Sequence, residues 1–387
     1  MASGEAEQPS WPELLGSNNW ESLLDPLDLP LRKLILRCGD FIQATYDAFN
    51  NDQNSKCLHF CTAPPELVSL KRFCYALCRG NPGTASLIGS GYIAVTSDER
   101  SKALGRREIY VAWRGTTRNY EWINVLDAEL ESVESLLKNS TLGAEERDGS
   151  SDSDDDKKVP KVMQGWLTIY TSDNPKSSFT KLSARTQLLE KIKELRERYP
   201  DEKLNIILTG HSLGASLSIL SAFDLAENGV NDIPVTAIVF GSPQVGNKAF
   251  SDRLKSHQNL KVLHVRNIVD LITRYPGPLL GYKDTGIDLV IDTRKSPSLK
   301  DSRNPSDWHN LQAMLHVVAG WNGQKGEFEL KVKRSLALVN KSCEFLKDEL
   351  LVPGSWWVEK NRGMVRDENG EWALAPPADE DLPVPEF

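Results

Sequence analysis

Basic residues are outnumbered in this chain of 387 amino acids, and its opening stretch has none. Lys and Arg total 46 against 54 Asp and Glu, which gives a formal net charge of −8. This balance leaves no excess of basic side chains to neutralise phosphates, so a nucleic-acid partner is disfavoured. Strong electrostatic docking on an anionic membrane is disfavoured for the same reason, and we expect any contact with lipid to be mainly apolar.

Long hydrophobic runs are also missing. No apolar stretch approaches the length that crosses a bilayer, so no transmembrane segment is predicted. Residues 1–31 contain no Lys or Arg, whereas a secretory signal needs a basic start and a transit peptide is rich in Arg and Ser. We therefore expect a soluble protein of the cytoplasm.

Cysteine is scarce. Of the six cysteines, four form two pairs with three residues between the members, Cys57 with Cys61 and Cys74 with Cys78. Structural zinc sites more often use pairs separated by two residues, and the longer spacing also places two thiols on one face of a helix. We expect free buried thiols in a reducing compartment and no metal site, with zinc as the alternative.

One acidic segment interrupts the chain. Residues 145–158 include a triple Asp and cannot bury apolar surface. We predict a flexible acidic start over residues 1–17, a single domain over 18–375 with a disordered acidic loop at about 144–158, and a Pro-rich flexible tail over 376–387. Calcium binding by the loop is the alternative, but its sequence lacks a central Gly and a closing Glu at EF-hand spacing.

Short apolar strands alternate with helices over the second half of the chain. Strands are predicted at 204–209, 235–241 and 260–266, and helices at 186–198, 213–227 and 248–255. Upstream, 31–50 has helical spacing, 89–96 and 108–113 alternate as strands, and 162–170 enters another helix. This succession predicts an α/β fold with a mostly parallel central sheet flanked by helices.

The run Gly210-His211-Ser212-Leu213-Gly214 lies between an Ile/Leu strand and an Ala/Leu helix. In that context Gly-x-Ser-x-Gly is a sharp strand-to-helix turn that pushes the serine oxygen out of the backbone. Side chains at the two glycines would collide where the turn folds back, and the helix N-terminus favours a developing oxyanion. The context predicts a nucleophilic Ser212 rather than an incidental serine in a glycine-rich turn.

A nucleophilic serine needs a base to take its proton and an acid to orient that base. Enzymes with this turn carry the acid next along the chain, just past a strand, and the base last. Asp270 follows a predicted strand and is favoured, whereas Asp288 and Asp292 alternate within 287–292 like residues on a strand.

Two histidines compete for the role of base. His309 and His316 are seven residues apart, so on a helix both would lie on nearly the same face. His309 follows Trp308 at a predicted loop-to-helix start, where a side chain can reach a cleft. His316 stands among apolar residues like a packed core histidine. We therefore assign the base to His309.

The negative charge of the reaction needs hydrogen-bond donors. One donor is expected to be the amide of Leu213, directly after the nucleophile. The second is expected from the strand exit at Arg114-Gly115-Thr116, where Gly lets the backbone turn and Thr116 offers an amide and a hydroxyl. Without Ser212 the same exit would be read as an ordinary strand end with a buried Arg.

Four motifs carry a family resemblance over roughly residues 11–375: Arg114-Gly115-Thr116, the Gly-His-Ser-Leu-Gly turn, Gly241-Ser242-Pro243 and Trp308-His309-Asn310-Leu311. Together they resemble the class 3 lipases, and more closely the plant class II phospholipase A1 enzymes. The resemblance implies an α/β-hydrolase fold, the triad Ser212, Asp270 and His309, and an oxyanion role for Thr116 with Leu213. It also implies hydrolysis of the sn-1 ester of glycerolipids without a cofactor.

The resemblance places a lid at the segment after Thr116, with Tyr120, Trp122 and Ile123 as its apolar face; a buried packing helix is the alternative. Two departures from the family are Gln312-Ala313-Met314, where relatives usually carry Glu-Ala-Tyr, and the acidic insert. An acylglycerol lipase or galactolipase is the second candidate function. A lipase-like signalling scaffold is the third candidate. Such a scaffold could dispense with the base or the oxyanion segment, whereas this chain has all of these parts in the required order.

Overall fold

The computed structural model describes residues 8–48, 68–79, 85–116, 128–137, 158–357 and 359–375, and for 68–79 and 85–90 the course of the backbone alone. The described strands are β1 (Val68–Arg79), β2 (Ala85–Thr96), β3 (Arg107–Trp113), β4 (Leu130–Ser132), β5 (Lys161–Met163), β6 (Leu204–His211), β7 (Val235–Phe240), β8 (Gly246–Asn247), β9 (Leu260–Asn267), β10 (Tyr282–Lys283), β11 (Ile287–Ile291), β12 (Met364–Arg366) and β13 (Trp372–Leu374). The described helices are α1 (Trp11–Leu14), α2 (Leu29–Ala48), α3 (Asp98–Leu104), α4 (Gln164–Thr171), α5 (Ala184–Arg198), α6 (Leu213–Glu227), α7 (Lys248–Ser256), α8 (Pro305–Trp308) and α9 (Leu311–Gly320).

The central sheet has the strand order β1-β2-β3-β6-β7-β9-β11. Pairing is antiparallel from β1 to β3 and parallel from β3 to β11. Parallel neighbours need crossover helices, and α6 and α7 supply them between β6 and β9. The carboxyl ends of β6, β9 and β11 therefore share one edge of the sheet.

Side chains alternate between two apolar cores, one on each face of the sheet. On β6, Ile206 and Leu208 belong to the core under α4, α5 and α6, whereas Ile207 belongs to the core under α2 and α9. Strands covered on both faces are buried along their whole length, as β7 is. The two cores explain why the strands read as continuous apolar runs.

Helix and strand positions follow the sequence prediction closely. The helix at 213–227 has the predicted bounds, and the one predicted at 31–50 spans Leu29–Ala48. The segment predicted to enter a helix at 162 starts instead as β5, which pairs with β4 and β8 in a small second sheet. Hydrogen bonding to those strands takes precedence there over local helical spacing.

The start of the chain differs from the prediction of a flexible segment over residues 1–17. Within that segment, residues 11–14 form α1, and both Leu14 and Leu15 are buried in the core beneath α2. The indole of Trp20 donates a hydrogen bond to the carbonyl of Leu14 at 2.9 Å. Apolar burial around Trp20 therefore orders a stretch whose acidic composition indicated disorder.

The cysteine pairs do not share a helix in the described part of the chain. Cys74 and Cys78 both lie on strand β1, and Cys57 and Cys61 fall outside the described residues. Within the described ranges, no cluster of three or more His, Cys, Asp or Glu side chains is arranged to hold a metal ion. None of the helices in those ranges combines the length and apolar character that a bilayer crossing requires.

Candidate active site

Ser212 lies where β6 passes directly into α6, with its backbone in an unusual conformation. Its φ of 58° and ψ of −128° lie in a region that non-glycine residues rarely adopt. The Ser212 amide donates a hydrogen bond to the carbonyl of Phe240 at 3.0 Å, which fixes the turn against β7. The side chain stands at the N-terminus of a 15-residue helix, where amide dipoles favour negative charge.

The two glycines of the turn touch each other, as the sequence analysis predicted. A Cβ on Gly210 would lie 2.1 Å from the carbonyl oxygen of Gly214. A Cβ on Gly214 would lie 2.4 Å from the carbonyl oxygen of Trp113, at the end of β3. Because neither glycine has a side chain, the start of α6 packs directly against the segment that leads to Thr116.

Asp270 and His309 form a hydrogen-bonded pair beside this turn. Nδ1 of His309 donates to Oδ2 of Asp270 at 2.6 Å, since an ionised carboxylate only accepts. The other carboxylate oxygen accepts from the amide of Ile272 at 3.0 Å, and the Asp270 side chain is 1% exposed. This arrangement fixes the tautomer of His309, leaving Nε2 without a proton and able to accept one.

Two further residues hold the pair in place, and neither was singled out as a site residue from the sequence. Asn267, at the end of β9, donates to the carbonyl of Trp308 at 2.8 Å and so ties the acid's strand to the base's loop. Gly241 packs against the pair, because a Cβ there would lie 3.0 Å from Cε1 of His309 and 3.3 Å from Oδ2 of Asp270. The Gly-Ser-Pro motif signalled Gly241; no sequence signal marked Asn267.

The structure brings Ser212 close to this pair through its neighbours. The ring of His211, the preceding residue, lies 4.6 Å from the ring of His309 between centroids. Phe240, which binds the Ser212 amide, precedes Gly241, which contacts His309. The three side chains predicted to act together are therefore gathered at one end of the sheet.

Two polar atoms at this place are buried and lack a hydrogen-bond partner within the described structure: Nε2 of His309 and Oγ1 of Thr116. Unsatisfied buried groups are costly and often belong to functional sites. Thr116 follows Gly115, whose Cα has no room for a side chain, since a Cβ would lie 2.6 Å from the carbonyl oxygen of His211. The predicted proton acceptor and the predicted oxyanion donor are both open.

His211 is buried, and both of its ring nitrogens are engaged. Nε2 donates to the carbonyl oxygen of His309 at 2.8 Å, so Nδ1 accepts from the hydroxyl of Tyr46 at 2.7 Å. Burial, reinforced by the nearby His309, holds the pKa of His211 well below its usual range. The imidazole of His211 therefore stays neutral and links α2 to the loop that carries the base.

His316, Asp288 and Asp292, which the sequence analysis rejected as base or acid, make other contacts. Nε2 of His316 shares a hydrogen bond with the hydroxyl of Ser296 at 2.7 Å, and burial lowers its pKa to about 4. Asp288 pairs with Arg266 at 2.7 Å, and Asp292 pairs with Arg294 at 2.8 Å. These side chains are already occupied, which agrees with the choice of Asp270 and His309.

A cavity of about 390 Å³ opens beside the site and is lined in part by Thr116, His211 and His309. Gln43 and Gln312 also line it, and a hydrogen bond of 2.7 Å between their amides joins α2 to α9. Gln312 stands where sequences of the family that this chain resembles usually carry Glu. In this protein its side chain joins α9 to α2 through that bond. The lid candidates Tyr120, Trp122 and Ile123, and the acidic loop up to residue 157, lie outside the described residues.

Comparison with known proteins identifies the class of protein to which this chain belongs. A family model described as Lipase (class 3) matches residues 110–280, which include Thr116, Ser212 and Asp270. The chain has the α/β-hydrolase fold predicted from its sequence, and it is a carboxylic ester hydrolase. Among solved structures, a triacylglycerol lipase from Penicillium expansum is 19% identical, with a TM-score of 0.43 over 68% of this chain and 80% of that one.

Two relatives narrow the class to a family. Phospholipase A1-IIdelta of Arabidopsis thaliana is 61% identical, over 98% of this chain and 98% of the relative. Phospholipase A1-II 5 of Oryza sativa subsp. japonica is 48% identical, over 99% of this chain and 86% of the relative. The chain belongs to the plant class II phospholipase A1 family, as its motifs predicted.

Proposed function

We propose that this protein hydrolyses the sn-1 ester of membrane phospholipids through Ser212, His309 and Asp270. The single observation that carries the proposal is the 2.6 Å bond between Asp270 and His309, which leaves Nε2 of His309 without a partner at the end of the sheet where Ser212 lies. Membership of the phospholipase A1 family supports the choice of bond and substrate. No cofactor enters the chemistry proposed here.

The reaction begins with proton transfer. Nε2 of His309 takes the proton from Oγ of Ser212, and the oxygen attacks the ester carbonyl. The imidazolium that forms is stabilised by the Asp270 carboxylate, which remains ionised. The Leu213 amide and the Thr116 hydroxyl donate to the oxyanion of the tetrahedral intermediate.

The intermediate collapses when His309 returns the proton to the departing glycerol oxygen. The lysophospholipid leaves, and the acyl chain stays on Ser212 as an ester. Water then repeats the sequence, giving its proton to His309 and releasing the fatty acid. Each step uses the same three side chains and the same two donors.

The decisive experiment uses phosphatidylcholine with different acyl chains at sn-1 and sn-2. The purified protein should release the sn-1 fatty acid, and Ser212→Ala should release none. Release from sn-2 alone, or none from any phospholipid, would move the assignment to an acylglycerol lipase or galactolipase, which the same assay checks with neutral glycerides and galactolipids. Loss of activity in His316→Ala but not in His309→Ala would overturn the choice of base.

We also propose that the substrate is met at a membrane or aggregate surface, and that the segment containing Trp122 covers the acyl groove in water. Trp122→Asp should lower activity on lipid aggregates more than activity on a soluble short-chain ester. Equal activity ratios for the variant and the unchanged protein would remove the lid from the proposal.

We propose a cytoplasmic location as well. The composition supports it, since the apolar runs of the sequence are too short to cross a bilayer. Fractionation of cells that express a tagged form should recover the protein with the cytosol. Recovery in an organelle or outside the cell would refute this part.

A further inference from the structure

The segment that follows Asp270 exposes an unusual number of large apolar side chains. Leu279 is 99% exposed, Leu271 58% and Leu280 54%, and Ile268 just before Asp270 is also exposed. Single exposed leucines are common on protein surfaces, whereas a concentration within residues 268–280 marks a surface that binds something apolar. We call Leu271, Leu279 and Leu280 the leucine tip.

The leucine tip is presented by an anchored backbone. Gln244 donates its amide to the carbonyl of Tyr275 at 2.8 Å and accepts the amide of Gly277 on its side-chain oxygen at 2.9 Å. Tyr282 is buried, and its hydroxyl donates to the carbonyl of Ala128 at 3.0 Å. Both ends of the segment are therefore fixed while its leucines face solvent.

Two exposed cations flank the leucine tip although the whole chain is acidic, and the exposed Asp284 that follows Lys283 accepts a hydrogen bond from the side chain of Gln244 at 2.7 Å. Between residues 268 and 283 the charged side chains are Asp270, Arg274 and Lys283. Asp270 is buried against His309, whereas Arg274 and Lys283 are exposed. An apolar surface flanked by cations is complementary to a phospholipid surface, where acyl chains lie beneath phosphates.

A second copy of the chain is a poorer occupant. A two-fold symmetric contact through the leucine tip would place Arg274 and Lys283 near their own counterparts, where like charges repel. Position also favours lipid, because Leu271 directly follows Asp270 and the segment leaves the same edge of the sheet as Ser212. Lipid bound at the leucine tip would therefore lie at the edge of the sheet that carries the site.

We propose that the leucine tip is a docking surface for the phospholipid layer that carries the substrate, in addition to any contact made by the predicted lid. Leu279 and Leu280 enter the layer, and Arg274 and Lys283 remain at the level of the phosphates. The inference rests on the proposed function, because it identifies the surface from which that site takes its lipid.

The test measures binding without hydrolysis. In the Ser212→Ala background, sedimentation with phosphatidylcholine vesicles, with and without phosphatidic acid, gives a partition coefficient for each variant. Leu279→Asp with Leu280→Asp should lower that coefficient at least tenfold, and Leu279→Trp should raise it. The matched control is Leu330→Asp, since Leu330 is 51% exposed beyond the far end of α9; it should change the coefficient less than twofold.

The same substitutions with Ser212 intact separate docking from chemistry. Activity on a soluble short-chain ester should be unchanged, whereas activity on vesicles should fall with the partition coefficient. Unchanged vesicle binding by the double variant would overturn the proposal, as would equal loss in the Leu330→Asp control. A concentration-dependent dimer that Leu279→Asp abolishes would assign the surface to self-association instead.

Failure of docking and failure of the proposed function give different results. If the leucine tip controls vesicle binding but no phospholipid is cleaved, the docking surface stands and the sn-1 activity fails. If phosphatidylcholine in detergent is cleaved at sn-1 but the double variant binds vesicles normally, the activity stands and the docking surface fails.

Discussion

The hydroxyl of Tyr46 lies 2.7 Å from Nδ1 of His211 and donates a hydrogen bond to it. Through the opposite nitrogen, the same imidazole holds the carbonyl of His309 at 2.8 Å. Tyr46 therefore acts as a positioning residue, linking helix α2 through the serine turn to the loop that carries the base.

Tyr46→Phe should lower kcat about fivefold with little change in KM, because loss of one buried hydrogen bond, about 1 kcal/mol, loosens the positioning of the base. Steady-state kinetics on a soluble ester measures the effect. Tyr92→Phe is the matched control, since the Tyr92 hydroxyl also makes a buried hydrogen bond, to the carbonyl of Phe41 at 2.8 Å. Equal kcat values for the two variants would show that the link to His211 has no part in positioning His309.

Asp270→Asn should reduce kcat on the order of 10³- to 10⁴-fold, as replacing the acid does in other triads. The new amide can donate to Nδ1 of His309, which favours the tautomer whose Nε2 already carries a proton. Combining the change with Ser212→Ala should add no further loss, because the residues act as a unit. Asp288→Asn, at the carboxylate paired with Arg266, should retain activity; a comparable loss there would argue against Asp270 as the acid.

Thr116 offers both a hydroxyl and an amide, and two substitutions separate them. The hydroxyl is the proposed donor to the oxyanion, so Thr116→Val should lower kcat by about 10²-fold and Thr116→Ser should restore most of it. If Thr116→Val is as active as the unchanged protein, the backbone amide is the donor. A fall of equal size in both variants would indicate displaced packing rather than a lost donor.

His316 should make stability depend on pH. Burial lowers its pKa from about 6.5 to about 4 in the folded protein, so the folded state resists its protonation. The stabilisation is fully present above pH 6.5 and is lost as the pH falls toward 4, a change of order 3 kcal/mol. Urea unfolding across this range should show a weaker pH dependence for His316→Gln. An identical dependence would exclude His316 as its source.

Much of the fold could be predicted because its signals are local. The Ile/Leu run of β6 and the helical spacing of α6 define their own bounds, and the two glycines of the turn indicate their mutual contact. Local patterns did not predict the structure at two places. At Met163, pairing with neighbouring strands makes β5 extended, and at Leu14, contact with Trp20 orders an acidic segment. Both outcomes depend on tertiary contacts, with β4 and β8 for Met163 and with the core beneath α2 for Leu14.

The candidate site shows the same contrast between residues with local sequence signals and residues whose contacts depend on the tertiary fold. Ser212, Asp270 and His309 could be predicted as the site because each follows a predicted strand or begins a helix in a known chain order. Asn267 and Tyr46 were missed because their roles depend on hydrogen bonds to the distant residues Trp308 and His211. An asparagine at a strand end and a tyrosine on an amphipathic helix carry no signal of such partners.

Because His309 is linked to α2 and lies next to α9, its position limits how far the chain can be shortened. The stretch recognised as lipase, residues 110–280, ends before the proton acceptor and begins after Tyr46. A polypeptide cut to those limits would keep Ser212 and Asp270 yet lack His309, the proposed acceptor of the serine proton. The proposed mechanism therefore requires a shortened version to retain His309 on one side of that stretch and Tyr46 on the other.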